Sequence, residues 1–136
     1  MGVDCTSDDL INRWGSRNIQ TWSDLSGADA IDTTRVSLAC QYGNAERDQH
    51  LRGGPYTMPI QVIDAGTELL VRGWAEVFAV HWLYFSRGLL DKDEQGGKLD
   101  QLKKDAVSEL HAVRSGARRL NARRRFSPSP TGPVAI

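Results

Sequence analysis

The stretch from Ala65 to Arg87 sets the terms for the whole chain, because apolar side chains nearly surround it. Leu69, Leu70, Val71, Trp74, Val77, Phe78, Val80, Trp82, Leu83 and Phe85 fall on most sides of a helix, and such a helix must lie in the middle of something. Its main polar relief is Glu68, Arg72 and Glu76 at successive four-residue steps, which lets the arginine pair with both carboxylates along one narrow side. That stripe can face solvent or a neighbouring subunit. Arg72, Glu76, His81 and Arg87 also interrupt the stretch, so it falls short of the roughly 18–20 uninterrupted apolar residues of a membrane span.

The remaining periodicity supplies partners for this helix. Thr6 or Ser7 can cap a short first helix with Asp8 and Asp9 in its first turn, Leu10, Ile11 and Trp14 on its apolar side, and Gly15 as its stop. A second short helix is expected over Asn18 to Trp22. A third starts near Asp32 or Thr33 and runs to Leu51, with Val36, Ala39, Cys40, Gly43 and Leu51 on one face. A fifth, from Lys98 to Ser115, presents Leu99, Leu102, Ala106, Leu110 and Val113 at three- and four-residue steps and docks on the fourth. Between the third and fourth helices, HLRGGPYTMP (50–59) stops the helical pattern, since glycine loses too much backbone freedom and proline lacks an amide hydrogen. Within TMPIQVIDA (57–65), IQVI can form a short extended stretch. The expected class is all-α, a compact bundle of four to five helices followed by an extended C-terminal tail.

With 136 residues, 40% hydrophobic and 25% charged, the chain has the size of one domain. The N-terminus MGVDCTSDDL carries acids where a secretory signal would be basic and then apolar, so the protein is expected in the cytoplasm of the cell that makes it. Cys5 and Cys40 are expected as reduced thiols, Cys40 buried on a helix face.

Charge is distributed unevenly. Residues 1–117 hold 12 Lys and Arg against 17 Asp and Glu, a balance of −5, whereas residues 118–136 hold five arginines and no acid. A body of 1–117 and a separate tail of 118–136 follow from that division. Arg118, Arg119, Arg123, Arg124 and Arg125 can grip phosphates or an acidic protein surface; composition equally allows a solubilising tail. FSPSPTGPVAI (126–136) favours an extended, polyproline-like course.

Motifs for catalysis or ligand binding are incomplete. EQGGKL (94–99) lacks the hydroxyl residue and the earlier glycine of a phosphate loop and reads as a helix-entry turn. DKDEQG (91–96) opens like a calcium loop, but Leu102 stands where the bidentate glutamate belongs, and it reads as a solvated acidic loop. His50, His81 and His111 have no partners at helical ligand spacing, and His81 reads as a hydrogen-bonded core residue. No metal, no cofactor and no enzymatic activity are expected.

Three blocks, in order, carry a resemblance. Asp9, Leu10, Arg13 and Gly15 fit an opening helix of the form T-x-x-D-L-x-x-R-x-G; Asp24, Gly27, Ile31 and Asp32 fit a polar T-D-x-x-G-x-I-D-like loop; and Leu51, Tyr56, Met58 and Pro59 fit a helix end of the form Y-L-x-x-R-Y-x-L-P. The chain resembles the phage protein family first met in Mu-like prophages and related to head–tail connector proteins. Leu99 to Gly116 is similar to the family's last helix, so the likeness covers residues 5–117. Gly53-Gly54-Pro55 replaces a shorter family turn, and the Arg-Pro tail is not inherited.

The resemblance implies a structural virion protein, a small helical head-completion or adaptor protein. It would form a homo-oligomeric ring of about twelve subunits beneath the portal, in the neck between head and tail, extending the DNA channel. Its partners would be other copies of itself, the portal protein and the next neck or tail protein, with non-specific contact to packaged DNA as a further role. On that reading ring neighbours cover the apolar fourth helix. Arg52, Gly53, Gly54, Pro55, Tyr56, Glu68, Arg72 and Glu76 become inter-subunit candidates, while Tyr56 and Met58 anchor the turn, and the five tail arginines become portal or DNA contacts. The alternative is a small nucleic-acid-binding protein with a helical body and a basic arm; the acidic body argues against it.

Overall fold

Aspartate and threonine side chains open four of the five helices. The computed structural model describes residues 2–87 and 93–125. In α1 (Ser7–Trp14) Thr6 forms a reciprocal capping box with Asp9, which satisfies two otherwise orphaned amides. Gly15, at φ 90°, ends α1 and begins α2 (Ser16–Ser23), slightly longer than its sequence suggests. Asp32 caps α3 (Thr33–Leu51) through the Arg35 amide, and Asp64 caps α4 (Ala65–Phe85) through the Thr67 amide. The first and third helices thus match their expected bounds, and the fourth ends two residues early.

The fifth helix departs from expectation. α5 spans Glu94–Ser115, with Asp93 as its cap through the Gly96 amide, so EQGGKL is the first turn and a half of the helix rather than an entry turn. Asp93 also accepts a hydrogen bond from the Tyr84 hydroxyl, and Gly96 is buried. The cap and this anchoring at the end of α4 outweigh the cost of two glycines, about 1 kcal/mol each. Of the acidic loop reading, Asp91 and Lys92 lie outside the described residues.

α4 occupies the centre, with α3 along one side, α5 along another, and α1 and α2 packed against α3 and α4. Two apolar clusters flank it. One joins Leu10, Ile19, Trp22, Val36 and Cys40 to Ala75, Ala79, Leu83 and Tyr84; the other joins Leu51, Tyr56 and Ile60 to Val71, Trp74, Phe78, Leu110 and Val113. Val71, Trp74, Val77, Phe78, Val80 and Leu83 are all buried within the single chain. The sequence argument that ring neighbours must cover α4 is therefore corrected: the chain covers nearly all of it, and Leu69, 61% exposed, is the large apolar residue of α4 left open.

The other correction concerns the tail. Residues 118–125 do not extend away from the body. Arg118 N–H donates to Ala112 O just past the left-handed Gly116 cap, and the chain then runs antiparallel to residues 55–63. Arg125 N–H donates to Pro55 O (2.8 Å), Thr57 N–H to Arg123 O (3.0 Å), Arg123 N–H to Gln61 O (2.8 Å) and Ile63 N–H to Asn121 O (2.9 Å). IQVI is the extended stretch its sequence allows, with Val62 bridged to Ala122, and before the cis Met58–Pro59 bond Tyr56 is bridged to Arg124. Leu120 and Ala122 drop into the second cluster. The polyproline-like segment 126–136 lies outside the described residues. Among the described residues the architecture is five helices without a sheet, so the all-α class stands.

The tightest point of the bundle is Gly43. A Cβ there would stand 2.4 Å from the Ala75 carbonyl oxygen and 2.8 Å from the Ala79 Cβ. A backbone oxygen cannot swing aside, so overpacking of about 1–3 kcal/mol or more outweighs the helix-propensity gain of about 1 kcal/mol. Gly43→Ala is expected to lose about 2 kcal/mol net, seen as a lower urea midpoint at unchanged slope. An unchanged or higher midpoint would mean that α3 and α4 separate easily.

Candidate functional site

The HLRGGPYTMP turn, the end of α5 and residues 118–125 meet at one end of the bundle, and arginines collect there. Arg52 caps α3, Gly53 takes φ 88°, and the Gly54 amide bonds back to Leu51 O at 3.1 Å. A Cβ on Gly54 would lie 3.2 Å from the Arg114 Cα. Glycine is thus what allows the turn to press on the end of α5. The Arg114 side chain runs past Gly53, its Nη2 3.4 Å from where a Cβ would be.

Of the residues expected at a subunit contact, Arg52 and Gly53 are exposed, Gly54 is buried and Pro55 half-buried. Tyr56 is corrected from contact to core: its side chain is buried. Its hydroxyl accepts from Leu120 N–H at 2.6 Å and donates to Leu120 O at 3.3 Å. Met58 packs partly buried beside it, so both apolar anchors hold the turn as expected. A cavity of about 640 Å³ opens here, lined by Arg52, Gly53, Tyr56, Thr57, Met58 and Arg125.

The five arginines of 118–125 have unlike surroundings. Arg118 pairs with Glu109 at 3.8 Å and stands 5.9 Å from the Trp74 ring. Arg124 lies 5.9 Å from the Tyr56 ring, and Arg125 donates to Gly54 O at 3.3 Å. Arg119 and Arg123 are exposed. Arg114, absent from the sequence reading, joins this group through the fold alone. It is the basic residue in the last turn of α5, where a cation also suits the helix dipole.

The Glu68, Arg72, Glu76 stripe is brought together, but it faces α1 and the N-terminal segment of the same chain rather than solvent or a neighbour. Arg72 lies 3.6 Å from Glu68, 3.8 Å from Glu76 and 4.0 Å from Asp9, and it donates to Gly2 O at 3.0 Å. Arg13 reaches Glu76 at 2.9 Å. Burial pushes the Glu76 carboxyl up against the opposing pull of these arginines. On α3, Arg47 is 1% exposed and holds the N-terminal segment through Val3 O and Asp4. Its place one turn after Gly43 on the apolar face is a signal the sequence does contain.

Two exposed apolar patches complete the surface. Leu69 and Leu102 rim a groove of about 380 Å³ between α4 and α5, floored by Leu70, Trp74 and Val77. Leu38 and Tyr42 (51% exposed) project from α3, with Tyr42 stacked on Trp82 at 5.0 Å. At 3.6 residues per turn, Trp82 lies about 150° around α4 from the middle of that groove.

His81 bonds Asp100 at 3.1 Å, as expected, and leans on Phe85, but it is half-buried at the edge of the bundle rather than in the core. Cys40 is buried as expected, and so is Cys5; both are free thiols. A hydrogen bond to Cys40 and then burial push the Cys5 thiol up. Among the described residues no three His, Cys, Asp or Glu side chains group as a metal site, and no helix is long and apolar enough to cross a membrane.

The sequence profile of the family described as Bacteriophage Mu, Gp36 matches residues 5–135. This chain belongs to that family. The Mu-like resemblance read from three short blocks is therefore correct, and the match also takes in the arginine segment that those blocks left out. This Gp36-family chain is a phage protein. No curated protein sequence matches it.

Two outcomes follow from the site. Tyr56→Phe strands a buried N–H and carbonyl of Leu120, so it should cost about 2 kcal/mol and speed amide exchange at Ile63 and Arg123; unchanged exchange would show the segment is held by backbone pairing alone. His81 is lowered first by burial, with Lys103 adding to this and Asp100 and Glu46 opposing. The unfolded chain therefore takes up the proton first. Stability is full above the ordinary histidine value of about 6.5 and falls as pH drops from there towards the folded-state value. Thermal melts from pH 7.5 to 5 should show that slope, flattened in His81→Gln.

Proposed function

We propose that this Gp36-family protein is a head–tail connector, a structural adaptor that forms a ring below the portal, extends the DNA channel and joins capsid to tail without catalysing a reaction. The observation that carries the reading is the pair of unlike apolar patches, Leu69 with Leu102 and Leu38 with Tyr42, on opposite sides of α4. A surface that binds a different surface on the next copy gives a head-to-tail contact, and such contacts form a ring when the rotation between copies closes. Family membership and the resemblance to connector proteins support the same role, with the portal and the next neck or tail protein as neighbours.

The arginine segment enters this reading in altered form. Residues 118–125 are held on the body, so they serve as part of a basic end that faces the portal rather than as a strap reaching across to it. Arg72 and Glu76 drop out as inter-subunit contacts, because Asp9 and Arg13 of α1 already pair with them, while Glu68 stays a candidate. Arg52 and Gly53 stay as exposed contacts.

Native mass spectrometry across a concentration series tests the reading. A closed ring of about twelve copies, broken to monomers by Leu69→Asp and equally by Tyr42→Asp, is the expected result. A monomer that neither rings alone nor joins purified portal would overturn it. A monomer that binds duplex DNA with a steep salt dependence would replace it with the nucleic-acid-binding reading.

A further inference from the structure

Apart from exposed Arg17 on α2, the described arginines sort by location. In the body, Arg13 and Arg72 pair with carboxylates of α1 and α4, Arg47 with Asp4 and Asp48, Arg35 reaches Ser86 and Arg87 reaches Tyr84 O. At the end built from the α3–α4 turn, the α5 terminus and residues 118–125, Arg52, Arg114, Arg119 and Arg123 have no carboxylate within ion-pair distance among the described residues. Helix dipoles account for part of this, since Arg52 and Arg114 close α3 and α5. Arg119 and Arg123 stand on no helix, so the dipole does not explain them.

Two of these guanidiniums bear on the cavity. Arg52 lines it with Gly53, Tyr56, Thr57, Met58 and Arg125, and Arg114 runs along the Gly53 side of the same turn. Among the described residues no acidic side chain lines it. Residues 52–58 and Arg125 thus build a recess with a cationic rim and partly exposed Met58 as its apolar wall, and Arg114 stands beside Gly53.

We infer that this recess is a docking site for a short acidic segment of a partner protein, one whose Asp or Glu carboxylates meet Arg52 and Arg114 while an apolar neighbour rests on Met58. Carboxylates take bidentate hydrogen bonds from guanidinium groups. The apolar wall suits a peptide, whereas a phosphodiester backbone gains nothing from it. The cations ring a concavity at the helix ends instead of following a helix face that enters a groove. The body carries −5 over residues 1–117, which repels an extended polyanion such as duplex DNA more than a short segment entering at the basic end. The site is complete in one chain; it rests on the connector reading only for which neck component supplies the segment.

Fluorescence anisotropy of a labelled peptide of alternating glutamate and leucine, titrated with the full chain at fixed ionic strength, tests this. Saturable binding is expected, weakened on the order of tenfold by Arg52→Ala and again by Arg114→Gln. Binding should be equally reduced when glutamine replaces glutamate in the peptide, and unchanged by Arg17→Ala on α2. Arg52 is exposed at the end of α3, so circular dichroism should show Arg52→Ala fully folded. Absence of binding, or binding that Arg52→Ala and Arg114→Gln leave untouched, overturns the site. Tighter binding of a short duplex lost through those same arginines overturns its assignment to carboxylates. Because the titration needs no ring, a chain that stays monomeric in native mass spectrometry can still bind the peptide, and the two ideas fail separately.

Discussion

Everything in this bundle is referred to the contact between α3 and α4 at Gly43. Where Ala75 and Ala79 of α4 meet a position without a side chain, the two backbones come close enough to exclude other atoms, and that fixes how α4 is rotated. Once α4 is fixed, its Trp74 and Phe78 side points to α5, its Arg72 and Glu76 side to α1, and its Trp82 to the exposed Tyr42 ring of α3. A helix apolar on most sides has no preferred inward face of its own. The missing Cβ supplies the choice that the hydrophobic pattern leaves open.

What could be read from the residues followed their physical range. Helix starts at Thr6, Asp32 and Asp64 depend on groups three residues apart and were legible. The α5 start was not, because two adjacent glycines look like a break until Asp93 is seen anchored by Tyr84 across the chain. The Glu68, Arg72, Glu76 stripe was recognised as a paired unit, but α1 as its cover was invisible, since Arg13 meets Glu76 from 63 positions away. The return of 118–125 was hidden by composition: five arginines dominate the segment, while the residues that dock it are one leucine and one alanine. Of the candidate site, the turn and the arginines were each visible, and their meeting was not. Arg114 entered only through the packing of α5 on Gly54.

The fold also sorts charge along its length. Asp24, Asp29, Asp32 and Asp93 gather where α3 and α5 begin, while Arg52, Arg114, Arg119 and Arg123 gather where they end, roughly 28 Å away at 1.5 Å per residue over α3. Hydrogen bonds from the Ala28 and Asp29 amides hold Asp24 below the usual carboxylate range, and the Tyr84 hydroxyl and Gly96 amide do the same for Asp93. These carboxylates stay charged in mildly acidic solution. Arg35 and Arg87 stand at the same end as these carboxylates, so in a ring of identically oriented copies one rim would carry mixed charge and the other a cluster of arginines, and its two neighbours would meet unlike surfaces.

The bonds between residues 55–63 and 121–125 also bear on the order in which the chain becomes a folded object. The second apolar cluster needs Leu120 and Ala122, which leave the ribosome after every other residue of that cluster. Until then Tyr56, Leu110 and Val113 lack part of their cover, and the basic end does not exist as a surface. Synthesis itself therefore delays the appearance of the proposed docking site. A nascent or truncated copy could fold its first cluster yet present no recess to a partner, which would keep incomplete chains out of an assembling particle.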